Sequence, residues 1–114
     1  MSACLFCEIV ARRAPAQICA EDDETLAFAD LAPQAPVHVL VVPKRHIEHF
    51  GTLQPQDGEL LGRLAQTVQL VAGQAGLAPR GYRVVCNVGS DAGNSVPHLH
   101  LHVLGGRRLA WPPG

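Results

Sequence analysis

Apolar residues recur at helical spacing in two parts of the chain. The first pattern, near the N-terminus, comprises Leu5, Phe6, Ile9 and Val10 and stops before Pro15. It predicts a short helix of about two turns. A longer helix is predicted over about residues 55–75, where an apolar stripe repeats every three or four positions: Leu60, Leu64, Val68 and Val71. Thr52 is placed to cap the start of this helix, and Gly76 is placed to end it.

Five other segments have the β-branched content or the alternation that is typical of strands. They cover residues 17–20, 25–29, 37–42, 82–87 and 98–103. The helices do not alternate regularly with these strands and the connections are short, which favours an antiparallel sheet with the helices on one face. The predicted fold class is therefore α+β, with a five-stranded antiparallel sheet and two helices.

The last of these segments carries three histidines that alternate with apolar residues: His98, His100 and His102. Because successive side chains of a strand face opposite sides, the three imidazoles share one face of the strand and the apolar residues share the other. Each imidazole has a donor and an acceptor that need partners, so a row of them beside a core indicates a functional site. A histidine-rich exposed strand or adventitious metal binding is the alternative.

Length and charge narrow the class of protein. With 114 residues and a net charge of −1, the chain is of a size for one domain over residues 1–114, and its charge gives no reason to expect binding to nucleic acid or a membrane. No stretch has the eighteen or so apolar residues of a membrane span, and the N-terminus lacks a signal-peptide pattern. We therefore expect a cytoplasmic protein whose four cysteines are thiols or metal ligands rather than disulfides.

One metal ion is poorly suited to all three histidines. His98 and His102 are about 13 Å apart along a strand, whereas a tetrahedral ion needs every ligand nitrogen at about 2 Å. The middle residue, His100, can instead act as a nucleophile or base, provided that a hydrogen bond determines which ring nitrogen is free. The glycine-rich segment 89–95 lies just upstream, and its backbone can approach an anion. Histidines beside such a segment suit attack on phosphorus.

A second group of candidate ligands begins with Cys4 and Cys7, whose spacing is that of half a zinc site. The candidates for the other ligands are His38, His46, His49 and His98. Two buried thiols that pack the first helix are the alternative to a metal site. His38 lies in a β-branched strand, which favours a structural hydrogen bond over catalysis.

Taken together, these motifs resemble those of the histidine triad family. The segment 98–103 is similar to the family's signature of alternating histidines and apolar residues. Further segments resemble the family's motifs in the same order along the chain. They are residues 21–23 with 28–30, residues 33–38, residues 42–47, and the ending, residues 104–107 with 111–114. The Trp-Pro-Pro-Gly ending resembles the Hint branch of the family rather than the dinucleotide-cleaving Fhit branch.

The resemblance implies an enzyme, a nucleotide hydrolase or transferase of the purine nucleoside phosphoramidase type. Such an enzyme cleaves the P–N bond of purine nucleoside 5′-phosphoramidates, or acts on acyl-nucleotides, and releases AMP or GMP. His100 would attack the α-phosphorus and form a nucleotidyl-histidine intermediate. His102 would hydrogen-bond the phosphate or handle protons, and Ser95 would hydrogen-bond near the leaving group.

The resemblance also implies which residues contact the substrate and a partner. Asp30 would hold the ribose hydroxyls, although a plain strand end is the alternative for it. The purine pocket would be lined by Leu31, Phe6 and Ile9, and the phosphate and sugar contacts would be completed by Asn87, Gly93 and Asn94. Similar proteins are homodimers, so Trp111 would lie near the partner's site or pack at the dimer interface.

A zinc site is implied by the same resemblance. Relatives that keep the paired cysteines hold zinc with residues that correspond here to Cys4, Cys7, His46 and His98. Four protein ligands leave no open position for water, so the metal would be structural and would tie the first helix to the histidine strand. His98 could then not act as an acid or base.

Two other functions are alternatives to the enzyme. One is a nucleotide-binding or scaffold protein without turnover, although the presence of Ser95 and all three histidines favours catalysis. The other is a small zinc-dependent interaction module without a nucleotide site. Stabilisation of the fold by purine monophosphates would separate this last possibility from the others.

Overall fold

The computed structural model describes residues 4–114, and within them five strands form one antiparallel sheet with two α-helices packed against it. The sheet order is β1-β2-β3-β5-β4. The strands are β1 Ile18–Glu21, β2 Thr25–Ala29, β3 Val37–Pro43, β4 Tyr82–Val85 and β5 Leu101–Gly105, and the helices are α1 Leu5–Val10 and α2 Gly58–Gln74. The predicted α+β fold class is confirmed. No helix among the described residues combines the length and apolar character that crossing a membrane requires.

The two helices lie on opposite faces of the sheet, so the expectation that they share one face is wrong. The stripe of α2 packs in one core with Ala27, Val39, Val41 and Val103. The α1 residues Phe6 and Ile9 pack in a second core with Leu26, Phe28, Leu40 and Val42. The physical reason is that β2 and β3 are buried at consecutive positions, and strands of that kind need cover on both faces.

The start of α2 differs from the prediction. A 3₁₀ turn, Pro55–Asp57, precedes the helix, and Asp57 rather than Thr52 occupies the N-cap position. The Asp57 carboxylate accepts hydrogen bonds from the Gln54 backbone at 2.9 Å and from Arg45 at 2.6 Å. Thr52 belongs instead to an earlier 3₁₀ turn, so its predicted role as the helix cap is wrong.

The end of α2 agrees with the prediction. Gly76 adopts a φ of 72°, a left-handed conformation that a glycine tolerates without steric penalty. The Leu77 backbone N–H then donates to the Ala72 carbonyl at 2.9 Å. The chain therefore turns back towards the sheet, where Leu77 joins the core beneath α2.

The histidine segment is strand only from Leu101 onwards, so His98 and His100 lie just before β5. The register pairs Val41 with Leu101, and continuing it would pair Pro43 with Leu99. Proline has no backbone N–H, so the ladder between the strands cannot continue there. Leu99 donates instead to the Ile47 carbonyl at 2.6 Å.

The predicted division of the segment's side chains between the two faces nevertheless holds. Leu99 and Val103 are buried in the core beneath α2. The rings of His98 and His100 contact Phe6 of α1 on the other side of the sheet. The site histidines therefore face the α1 side.

Candidate functional site

An open cavity of about 220 Å³ lies between α1 and the sheet. Most of its lining is apolar, and Ser95 and Asp30 are among the few polar residues there. Leu31 also lines it and is 92% exposed. The cavity brings together seven of the site residues expected from the sequence: Phe6, Ile9, Asp30, Leu31, Ser95, His100 and His102.

The ring of His100 is held by one short hydrogen bond. Its Nδ1 lies 2.7 Å from the backbone carbonyl oxygen of His98. Because a carbonyl can only accept, Nδ1 carries the proton, and Nε2 of the neutral ring has a free lone pair. The ring is buried and packs edge-on against Phe6 at a centroid distance of 5.1 Å. This arrangement leaves one defined nitrogen available as a nucleophile or base.

His102 is the second imidazole in the cavity, and its partner is His38 of β3. The Gln34 backbone N–H donates to His38 Nδ1 at 3.0 Å, so the proton of the neutral His38 ring is on Nε2. His38 Nε2 lies 2.9 Å from His102 Nδ1, which must accept its hydrogen bond. The neutral His102 ring therefore carries its proton on Nε2, where it can donate to a ligand.

The neutral state of His102 is favoured by its surroundings. Burial and, to a smaller extent, the neighbouring His100 and His38 lower the pKa of His102 to about 4, while Asp30 acts in the opposite direction. A ring with this pKa is uncharged near neutral pH. His102 is therefore a neutral hydrogen-bond donor and acceptor rather than a cation.

Asp30 directly follows β2 and lines the cavity. Its Oδ1 accepts the Ala32 backbone N–H at 2.8 Å, and its Oδ2 lies 3.4 Å from His38 Nε2. The carboxylate thus stabilises the turn after β2 and also lies beside the His38 Nε2–H that donates to His102.

The other predicted substrate contacts lie outside the cavity lining. Asn87 lines a separate cleft together with the C-terminal residues. Gly93 and Asn94 lie in the loop before the histidine segment, where their N–H groups donate to the Ser90 and Gly89 carbonyls, respectively. Trp111 is 80% exposed. The substrate contacts expected of these four residues stay predictions.

A second cluster brings the predicted metal ligands together. The Nδ1 atom of His98 lies 3.2 Å from Cys4 Sγ and 3.5 Å from Cys7 Sγ, and His46 Nδ1 lies 3.2 Å from Cys7 Sγ. The four ligand atoms are all within 4.8 Å of one another. Sulfur and nitrogen ligands of a tetrahedral zinc ion are about 3.5 Å apart, so these separations suit a metal with that geometry.

His98 has the protonation that a ligand needs. Its Nε2 donates to the Pro43 carbonyl at 2.9 Å, which leaves the lone pair on Nδ1 directed towards the cysteines. Burial lowers the pKa of His98, and the nearby His46 and His100 act in the same direction. A neutral imidazole is the form that binds a metal.

Asp30, His38 and His102 also lie within 4.8 Å of one another. Here the ring nitrogens are already engaged, because His38 accepts from Gln34 and donates towards His102. A metal on His38 Nε2 would have to displace its proton. Hydrogen bonding therefore accounts for this group, and the cysteine cluster is the better metal site.

Comparison with known proteins identifies the family. The HIT domain family matches residues 11–109. This chain belongs to the HIT family. A HIT-like protein of Synechococcus elongatus is 52% identical over 110 residues, which are 96% of each chain. The structure of a HIT family hydrolase from Legionella pneumophila superposes with a TM-score of 0.95 at 46% identity, covering 97% of this chain and 99% of that one.

A more distant relative carries a more specific description. The structure of a histidine triad nucleotide-binding protein from Candida albicans has a TM-score of 0.83 at 29% identity. The match covers 96% of this chain and 83% of the Candida chain. The fold is therefore shared well beyond close sequence relatives.

His38 is the residue of this HIT site that the sequence pattern undervalued. Its prediction as a structural hydrogen bonder is confirmed, but its partner is His102 in the cavity. The strand register pairs His38 with Leu104 and Leu40 with His102, so His38 is the diagonal neighbour of His102 on the same face. If β3 and β5 are paired as antiparallel neighbours from the sequence alone, this diagonal contact between His38 and His102 can be predicted.

Proposed function

We propose that this HIT protein is a nucleotide hydrolase or transferase of the Hint branch. Its substrates would be purine nucleoside 5′-phosphoramidates, whose P–N bond it cleaves, or acyl-nucleotides. The observation that carries the proposal is the hydrogen bond between His100 Nδ1 and the His98 carbonyl, because it leaves Nε2 unprotonated in the cavity beside α1. The related Legionella protein is described as a hydrolase and the Candida protein as nucleotide-binding, which supports the same class of activity.

The proposed reaction has two steps through His100. In the first, His100 Nε2 forms a bond to the α-phosphorus while the P–N bond breaks and the leaving amine takes up a proton. In the second, water attacks the phosphorus and gives up a proton, which balances the one that the amine took up. The bond to His100 breaks with its electron pair returning to Nε2, and AMP or GMP is released. Covalent catalysis of this kind divides one difficult displacement into two easier ones.

His102 and Ser95 support this chemistry from the cavity wall. The Nε2–H of the neutral His102 ring would donate to a phosphate oxygen, since its Nδ1 is occupied by His38. The Ser95 hydroxyl would hydrogen-bond near the leaving group. A positioned proton donor at the leaving nitrogen contributes roughly 10²–10⁴-fold to rates of this type.

The nucleoside would bind along the rest of the cavity. Phe6, Ile9 and Leu31 would contact the purine, and Asp30 would accept hydrogen bonds from the ribose hydroxyls. Asn87, Gly93, Asn94 and Trp111 lie outside the cavity lining in the single chain. Their proposed contacts would therefore need a bound substrate or the second subunit of a dimer.

The cysteine cluster would hold structural zinc. Two thiolates and two imidazoles, here Cys4, Cys7, His46 and His98, are a common ligand set for this ion. Since four protein ligands would leave no open position for water, the metal would be structural and would not activate a water. The metal would take no chemical part in the proposed reaction.

The protein would act as a homodimer, in which two sheets join at β4. This strand is an edge of the sheet, and Tyr82 and Val84 are 38% and 45% exposed on it. An unpaired edge with apolar side chains readily pairs with a second strand. The C-terminal residues near this edge would bring Trp111 towards the partner.

The decisive experiment is release of AMP from adenosine 5′-phosphoramidate by the purified protein and by the His100→Ala variant. We expect turnover in the wild type and loss of at least about 10³-fold in the variant, because its nucleophile is missing. His49→Ala is the matched control, since His49 caps a 3₁₀ turn away from the cavity. Wild-type rates in His100→Ala would falsify the proposed nucleophile. AMP binding without any turnover would favour a nucleotide-binding protein instead.

A further inference from the structure

His98 takes part in two groups of residues at once. Its ring lies in the cysteine cluster, with Nδ1 3.2 Å from Cys4 Sγ and Nε2 donating to the Pro43 carbonyl. Its own backbone carbonyl accepts the Nδ1–H of His100 at 2.7 Å. The ring is fully buried, at 0% exposure, so it has little freedom to move. A displacement of this ring would therefore displace the carbonyl that orients His100.

The helix α1 provides a second connection between the cluster and the cavity. Phe6 lies between Cys4 and Cys7 in sequence, and its ring centroid is 5.9 Å from His98 and 5.1 Å from His100. Ile9 of the same helix also lines the cavity. With six residues, α1 is far shorter than the roughly 12–15 residues that an isolated helix needs. Its position therefore depends on its tertiary contacts, including those of the two cysteines.

We propose that the Cys4–Cys7–His46–His98 cluster positions the catalytic site when it holds a divalent metal. Through the His98 carbonyl it determines the orientation of His100, and through α1 it determines the position of the cavity wall at Phe6 and Ile9. This inference rests on the proposed function, because it assumes that the cluster binds zinc and that His100 is the nucleophile.

The effect of metal loss is local rather than global. The core between α2 and the sheet contains none of the four cluster residues. Strand pairing and α2 are therefore retained when the cluster loses its metal. A misplacement of reacting groups by about 1 Å can reduce a rate by about 10²-fold. We expect this loss in kcat, together with weaker AMP binding, in a protein whose sheet is still folded.

Cys7→Ser is the variant that tests the proposal. Cys4 is less suitable, because its Sγ also accepts the Cys7 backbone N–H at the start of α1. Cys86→Ser is the matched control, since Cys86 packs against the other core. Cys7→His is the conservative variant, because it retains a metal-binding atom at that position.

Four measurements are made on each variant. They are zinc content after purification, kcat and KM for adenosine 5′-phosphoramidate, the Kd for AMP by calorimetry, and the histidine N–H signals in NMR spectra. The His100 Nδ1–H signal is assigned by its absence in His100→Ala. For Cys7→Ser we expect loss of zinc, a fall of about 10²-fold in kcat, a several-fold rise in Kd and loss of the His100 signal. Cys86→Ser should match the wild type, and Cys7→His should recover zinc and turnover.

Two results would overturn the proposal. One is a Cys7→Ser variant that has lost zinc but keeps the His100 signal and the wild-type kcat. That result would contradict the positioning role and leave the proposed function intact. The other is a wild type purified and reconstituted with zinc that binds none. If the wild type has no turnover, the proposed function fails, and the NMR signal and AMP affinity still decide the positioning role.

A second variant covers the case in which Cys7→Ser does not fold. His46→Ala removes an exposed ligand that lies after β3 and whose Nδ1 is 3.2 Å from Cys7 Sγ. The same loss of zinc, kcat and the His100 signal is expected. A His46→Ala variant that loses zinc but keeps the wild-type kcat and the His100 signal would contradict the proposal.

Discussion

His100 and His102 are chemically identical side chains, but they carry their protons on different ring nitrogens. A carbonyl acceptor places the proton of His100 on Nδ1, and a chain of donors from Gln34 through His38 places that of His102 on Nε2. One ring is therefore suited to attack and the other to donation. The hydrogen-bond partners, and not the residue type, divide these roles.

The lowered pKa of His102 makes stability depend on pH. In the unfolded chain this ring protonates near pH 6.5, whereas in the folded protein its pKa is about 4. Between these values the unfolded state binds more protons, so the free energy of unfolding falls as pH falls from 6.5 towards 4 and is unaffected above that range. After a discount for solvent screening of this partly exposed ring, the loss is about 1–2 kcal/mol.

Urea unfolding of the wild type and His102→Asn from about pH 7 to about pH 4.5 checks this prediction. The wild type should lose about 1–2 kcal/mol more than the variant over that range. Carboxylates such as Asp57, whose pKa is lowered by its hydrogen bonds, contribute equally to both proteins. Identical pH dependence of the two proteins would show that His102 does not carry the effect.

At the scale of elements, the turn after β5 depends on a glycine. Gly106 has a φ of 92°, and a Cβ atom there would lie 2.9 Å from Pro36 Cβ. Gly62, in the interior of α2, is exposed and has nothing within 4 Å of its Cβ position. The same substitution to alanine should therefore have opposite effects at these two positions.

Gly106→Ala should lower the free energy of unfolding by about 1–3 kcal/mol, because of the backbone strain and the close contact. Gly62→Ala should raise it by roughly 0.5–1 kcal/mol, since alanine is the better helix former. Chemical denaturation of both variants beside the wild type measures the two changes. Equal effects of the same sign would contradict the local explanation.

The burial of the central strands explains why the two helices cover different faces of the sheet. The amphipathic stripe of α2 was evident from its spacing, but periodicity does not say which face of the sheet a helix covers. That depends on β2 and β3, which are buried at consecutive positions and expose an apolar surface on each side. A second element was therefore needed to bury the other face of the sheet, and α1 does so with Phe6 and Ile9.

At the scale of the whole molecule, the two sheet edges can be compared directly. Val84 on β4 and Ile18 on β1 are 45% and 38% exposed, and both strands are edges. Only the β4 edge is the proposed dimer interface. Lysine on an edge strand opposes pairing with another strand, so the same substitution at the two edges tests the interface.

Sedimentation equilibrium should give twice the chain mass of 12.1 kDa for the wild type. Val84→Lys should shift the protein to the monomer, and Ile18→Lys should leave the dimer intact. A monomeric wild type, or a dimer broken by Ile18→Lys alone, would rule out the proposed interface. Activity measured on the Val84→Lys monomer would also show whether Trp111 of the partner matters.

Local patterns in the sequence determined the fold class, the shared face of the histidines and the turn after α2. The alternation of His98, His100 and His102 with apolar residues predicted one imidazole face, and helical and strand periodicity predicted the α+β fold class. The turn at Gly76 was also predictable, since it depends on the conformational freedom of one residue. These features follow from the 3.6 and 2.0 residue periods of helices and strands.

Only the tertiary structure decided which groups meet and which nitrogen is free. Cys4 and His98 are 94 positions apart, and their contact depends on α1 covering the second face of the sheet. The role of His38 depends on the register of β3 with β5, and the end of that ladder depends on Pro43 lying opposite Leu99. Long-range pairing brings these groups together, and no local period along the chain specifies it.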